Sequence, residues 1–174
     1  METQQLHPIS REDLVASAAV TRLRRLVDAP RTCLFMTLGQ TLGIPARPMR
    51  VQKVDEQGSV WFFSSRSSAK NAAIGEDRRV QLSFANADRS EYLVVLGNAR
   101  IHLDRARMKA LWTPSLRAWF NHGSDDPSLS LIEVVPTRIH YWMPEGWNKG
   151  SLWKRVRAAL TGRSIPERQG ELVL

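Results

Sequence analysis

The chain has 174 residues, 43% of them hydrophobic and 24% charged, which suits one globular domain with a sizeable core. Its formal net charge of +8 comes mostly from arginine and admits nucleic acid, an acidic surface or small anionic ligands as partners. A single cysteine excludes an intrachain disulfide framework and a cysteine-based metal site.

No run approaches the roughly 20 apolar residues of a membrane-spanning helix, and the N-terminus lacks the apolar stretch of a signal peptide. The expected location is the cytoplasm, with no membrane contact. The positive charge is spread widely and no nucleic-acid-binding motif is present, so a nucleic-acid partner is not expected.

In chain order, Ser10 and Asp13 approximate a capping box. Leu14, Val15, Ala18, Leu23, Leu26 and Val27 then recur at helical spacing, until Pro30 stops the helix. The run from Arg31 to Leu38 reads as a buried strand, with Cys33 as an inert core thiol. Residues 46–54 alternate, with Arg47, Met49 and Val51 on one face and Arg50 and Gln52 on the other. Asp55 to Gly58 is a hairpin turn, and Ser59 to Phe63 returns from it. A short helix follows from about Ser68 to Ile74.

Two further strands cover 78–84 and 91–103, with a bulge or close backbone approach at Gly97. Asp104 caps a helix running to about Phe120 and broken near Pro114. His122 lies in a loop, and Asp125-Asp126-Pro127 reads as a turn. A final strand pair occupies 129–143. From Glu145 the chain is basic, with a short helix near 152–160. The organisation predicted is one domain over residues 1–144 and a tail over 145–174 that the fold can lose. Closely spaced strands with hairpin signals give an α+β class dominated by an antiparallel β-barrel.

The informative stretch is 46–70. Serines, backbone N–H groups and a lysine converge where the helix after the second hairpin strand begins, and such a helix start suits a phosphate. Aromatic residues Trp61, Phe62 and Phe63 precede it. A phosphate cradle beside aromatic strands fits a nucleotide-like cofactor with a flat ring, with Met49 and Phe62 as apolar contacts. Plainer roles exist for the same residues: an exposed helix lysine for Lys70, a strand-edge ion pair for Arg47, and simple capping for Ser64 and Ser68. Trp119 and Trp142 could cover a ring or serve in core or interface.

The order and spacing of several segments resemble the pyridoxamine 5′-phosphate oxidase-like superfamily, in its bacterial general stress protein branch. They are Ala46-Arg47-Pro48-Met49, Val60 to Ser64, Ser68-Ala69-Lys70, Tyr92 to Ala99, Leu111-Trp112, Ala118-Trp119-Phe120, Asp125-Asp126-Pro127 and Tyr141-Trp142. The resemblance implies an FMN-binding split β-barrel with flanking helices, FAD being possible in place of FMN. It implies a homodimer with two flavin sites at the subunit interface. It further implies that Arg47, Ser64, Ser68 and Lys70 meet the flavin phosphate, and that the backbone at Pro48, Met49 and Phe63 lines the isoalloxazine ring.

The chain also departs from the true oxidases. Gln52 and Ala69 stand where they carry a lysine and an arginine, and Tyr92 where they carry a flavin-contacting glutamine. Arg50 and Arg66 are the available substitutes for the lost charge. The oxidases' C-terminal substrate segment has no counterpart, so pyridoxamine phosphate oxidation is not expected. The function implied is a flavin-dependent oxidoreductase of unassigned substrate. The alternatives are a non-catalytic flavin-binding or flavin-sensing stress protein and, third, a basic nucleic-acid-binding barrel.

Overall fold

The computed structural model describes residues 9–39, 44–144 and 167–174. Ten strands make one sheet, and three α-helices pack on it. The strands are β1 (Ile9–Arg11), β2 (Leu14–Val15), β3 (Thr32–Thr37), β4 (Ala46–Arg50), β5 (Lys53–Val54), β6 (Val60–Ser65), β7 (Arg79–Asn86), β8 (Glu91–His102), β9 (Leu129–Pro144) and β10 (Glu167–Val173). The helices are α1 (Ala16–Asp28), α2 (Ala69–Glu76) and α3 (Arg105–Leu111).

The sheet runs β1-β10-β9-β8-β7-β3-β4, with β2 beside β10 and β6 paired to both β5 and β9. The long strand β9 is the hub. It pairs along β8, then with β6 near its start and with β10 near its end. The expected antiparallel sheet is corrected in one respect. The strands β1 and β2 run parallel to β10, so the sheet is mixed. Among the described residues the ladders also do not close on themselves: β4 pairs only with β3, and β5 only with β6.

Two apolar clusters explain the run Val60-Trp61-Phe62-Phe63, which is buried on both faces of β6. Val60 and Phe62 enter the main core with Leu23 and Val27 of α1, Phe35, Leu82 and Ile132. The Phe35 and Phe62 rings meet edge to face at 5.4 Å. Trp61 and Phe63 point the other way, into a cluster with Met108, Leu116, Leu129 and Leu131 under α3. Cys33 is 2% exposed, and burial pushes its thiol up to about 12.

Local signals hold where the partners are local. Asp55 Oδ1 accepts from the Gln57 and Ser59 N–H groups, and Gly58 takes φ +85° in that turn. The register of β8 and β9 shifts between Leu96 and Gly97, as the expected bulge requires. Asp104 caps α3 through the Arg107 N–H, and Asp126 closes its turn by accepting from Ser128.

Two readings fail at the N-terminal end. The first helix starts at Ala16, with Val15 at its cap position and no side-chain cap. Asp13 instead accepts from the Glu171 N–H of β10 and from Arg11. Glu12 then occupies the gap between β1 and β2, where Tyr141 Oη donates to its carbonyl at 2.7 Å. Gly170 of β10 lies against that same carbonyl, and a Cβ at Gly170 would collide with it. Residues 167–173 are therefore a strand of the sheet, with Leu172 in the core, and the idea of a dispensable tail does not extend to them. The short helix expected near 152–160 lies outside the described residues.

Candidate functional site

The segment from β6 to α2 builds the site. β6 ends at Ser65, three residues turn, and Ser68 caps α2 by accepting from the Asn71 N–H at 3.3 Å. The first turn of α2 contains no acidic residue, so its free N–H groups face no carboxylate of that turn. Ser64 and Ser68 come together, their hydroxyls 3.2 Å apart. Behind them Ser64 donates to Asn71 Oδ1 at 2.9 Å, Asn71 Nδ2 donates to Ser130 Oγ at 2.9 Å, and Ser130 donates to the Ser64 carbonyl at 3.1 Å. Ser64, Asn71 and Ser130 are all buried.

Lys70 occupies the first turn of α2 and is half-buried. Burial lowers its ammonium below the ordinary lysine range, and the neighbouring Arg47 guanidinium lowers it further. Among the described residues no carboxylate pairs with either cation: the hydrogen bond of Arg47 goes to the Pro45 carbonyl, and Lys70 has no ion pair. Two cations held near each other without a counter-charge form a place where an anion is favoured. Arg66 caps the Pro127 carbonyl at 3.5 Å, and Arg50 is exposed on β4.

The remaining expected residues lie elsewhere. Pro48 faces outward on β4, opposite Leu34. Tyr92 lies on the same outward face, three strands away on β8, beside Trp142 of β9. Met49 and Phe62 are buried in the main core. Phe63 is 7% exposed and packs edge to face on Trp112 at 5.7 Å.

The outward face carries Leu34 at 49%, Tyr92 at 45% and Trp142 at 36% exposure. A cleft of about 200 Å³ opens there between Arg11, His140, Trp142 and Glu171. Asn71 and Ser130 escaped the sequence reading. A capping serine three residues before an asparagine is an available signal for Asn71, and nothing in the sequence marks Ser130.

A family model described as pyridoxamine 5′-phosphate oxidase like matches residues 18–166. The chain belongs to this family. Among solved structures, general stress protein 26 of Jannaschia sp. CCS1 superposes with TM-score 0.73 at 20% identity, covering 91% of this chain and 99% of that one, a likeness of fold. The general stress FMN/FAD binding protein of Xanthomonas citri superposes with TM-score 0.62 at 28% identity, covering 72% and 87%. The protein bli-3 of Neurospora crassa is 26% identical over 110 residues, 59% of this chain. The chain spans about half the length of that curated relative, 53%. Among the described residues no helix is long and apolar enough to cross a membrane.

Proposed function

We propose that this protein binds FMN and serves as a flavin-dependent oxidoreductase of the general stress type. The observation that carries the reading is that Lys70, at the start of α2, and Arg47 of β4 disfavour each other's charge and lack a carboxylate partner among the described residues. A phosphate monoester carries up to two negative charges and matches that pair. Charge-assisted bonds to arginine and lysine are the strong ones. The α2 N-terminus and the Ser68 hydroxyl add donors on the same side. The family and the flavin-binding Xanthomonas relative support the same choice of ligand.

The flavin supplies hydride or electron transfer when bound. This chain's residues hold the phosphate, set the ring against the strands and keep water from one side. We read the sheet as the split-barrel type and the working unit as a homodimer. In that reading the exposed row of Leu34, Tyr92 and Trp142 is covered by a second copy.

A second reading, a flavin-binding stress protein without turnover, is favoured by one observation. The described histidines with partners, His102 and His140, pair with Glu133 and Glu171 and do not join the cradle.

Titration with FMN, FAD and riboflavin, followed by flavin fluorescence, tests the proposal. FMN is expected to bind at least tenfold more tightly than riboflavin. Equal affinity for the two would remove the phosphate cradle from the account. Bleaching of the bound flavin by a reduced nicotinamide cofactor, with reoxidation by an added acceptor, would separate the enzyme from the binder.

A further inference from the structure

We infer that Asn71 divides the roles of the two serines at the α2 N-terminus: Ser68 is the hydroxyl that meets the phosphate, and Ser64 is its buried support. The inference rests on the phosphate reading above. It follows from where each proton in the network can go.

The carboxamide oxygen of Asn71 can only accept, and Ser64 Oγ lies 2.9 Å from it, so Ser64 donates there. The alternative acceptor for that proton, the Ser65 carbonyl, is farther away at 3.3 Å. The carboxamide nitrogen donates to Ser130 Oγ at 2.9 Å, and the Ser130 proton goes to the Ser64 carbonyl at 3.1 Å. Turning the amide over would take the Ser130 proton for Asn71 and forfeit the bond to the Ser64 carbonyl. The observed orientation satisfies all of them, and these groups are 0–5% exposed, where an unmet polar group is expensive.

With its one proton committed to Asn71, Ser64 can only accept from Ser68 across the 3.2 Å contact. Ser68 therefore donates to Ser64, while its oxygen accepts the Asn71 N–H as the helix cap. Rotating the Ser68 hydroxyl toward an incoming anion gives up one neutral bond and leaves the cap in place. Ser64 has no such freedom, and at 2% exposure it does not reach solvent. The departures at Gln52 and Ala69 raise the importance of that single hydroxyl.

Fluorescence titrations with FMN and with riboflavin on Ser64→Ala, Ser68→Ala and Lys70→Ala decide the matter. Ser68→Ala is expected to lower FMN affinity about tenfold with riboflavin unchanged, the value of one charge-assisted bond. Ser64→Ala is expected to lower thermal stability and keep the FMN-to-riboflavin ratio within about twofold of wild type. If that variant fails to fold, Ser64→Cys, with a weak donor of similar size, takes its place.

A ratio that falls as far in the Ser64 variant as in Ser68→Ala would overturn the division of roles. So would a ratio that falls in Lys70→Ala and stays unchanged in Ser68→Ala. A ratio unmoved in all three variants would instead overturn the phosphate reading itself.

Discussion

Two groups of cations in this molecule are arranged in opposite ways. Where α1 crosses the end of the sheet, arginines are matched by carboxylates: Arg22 and Arg168 reach Glu12 at 3.3 and 3.1 Å, and Arg25 reaches the buried Glu91 at 3.1 Å. Tyr141 joins the same cluster by donating to Glu12, and Arg22 lies over its ring. Burial and Arg47 of β4 lower the Lys70 ammonium at the start of α2, and neither cation has a carboxylate partner among the described residues. The first arrangement ties distant segments together. The second holds charge apart from any partner of its own. In the proposed reading a bound phosphate relieves that repulsion, which is how binding sites differ from structural ion pairs.

The sharpest way to break this contrast is to remove the strand that the matched cluster secures. A chain ending after residue 166 loses β10, with it the buried Leu172, the β9–β10 ladder and the Arg168 partner of Glu12. Burial of one leucine is worth about 1.5–3 kcal/mol, so the urea midpoint should fall by the equivalent of about 3 kcal/mol or more once the ladder is included. An unchanged midpoint would show that the matched cluster stabilises nothing beyond itself.

Next comes the unmatched pair. Lys70→Ala should weaken FMN binding by about ten- to a hundredfold, from the roughly 1.5–3 kcal/mol of a charge-assisted bond. Riboflavin binding should stay as it was, and the urea midpoint of the ligand-free protein should hold or rise, because a repulsion is relieved. A fall in that midpoint would make Lys70 a structural residue like Arg22.

The converse variant is Glu12→Gln. It should cost roughly 1 kcal/mol of stability, since the carboxylate is partly exposed and its ion pairs are partly screened. It should leave FMN affinity unchanged. A loss of FMN affinity greater than the loss of stability explains would join the two clusters into one site.

The two groups were also unequally legible in the sequence. The cradle lies within 25 residues of chain, so the serines and Lys70 could be read as one unit from spacing, and the family resemblance added Arg47. The turn at Gly58, the bulge at Gly97 and the cap at Asp104 were legible for the same reason, because their partners are near neighbours. The matched cluster joins positions 12, 22 and 168, which no local pattern connects. Asp13 resembled a helix cap because its nearby residues fit one, yet its partner is Glu171, 158 positions away. The strand β10 was hidden by its composition: Glu167 to Val173 has little apolar alternation, and of its side chains only Leu172 enters the core. Asn71 was missed because its partner Ser130 is 59 positions distant.

The smallest effect is pH. Burial pushes the Glu12 carboxyl up, and Arg22, Arg168 and the Tyr141 hydroxyl overcome that push, so its net shift is downward. A lowered carboxyl contributes stability above its ordinary value near about 4.3 and loses it as pH falls through the folded value. Lys70 is lowered too, by burial first and Arg47 second; here the charged form is disfavoured by the fold, and the pH slope has the same sign as for Glu12. Between its lowered folded value and the ordinary lysine value near about 10.4, the unfolded chain binds more protons than the folded one, so stability rises with pH.

Cys33 works against this in the alkaline range. Its folded thiol, raised to about 12, keeps a proton that the unfolded chain has lost, and stability falls there. The comparison that isolates Lys70 is therefore wild type against Lys70→Met, in which the cysteine contribution cancels. For the ligand-free proteins the stability advantage of Lys70→Met should shrink as pH rises toward the ordinary lysine value. With saturating FMN the phosphate holds the Lys70 proton, and the wild type should keep its advantage up to the ordinary lysine value near about 10.4 and lose it above. A difference that is flat with pH, with and without FMN, would mean that Lys70 and Arg47 do not repel in the folded protein, and the contrast between the two clusters would not stand.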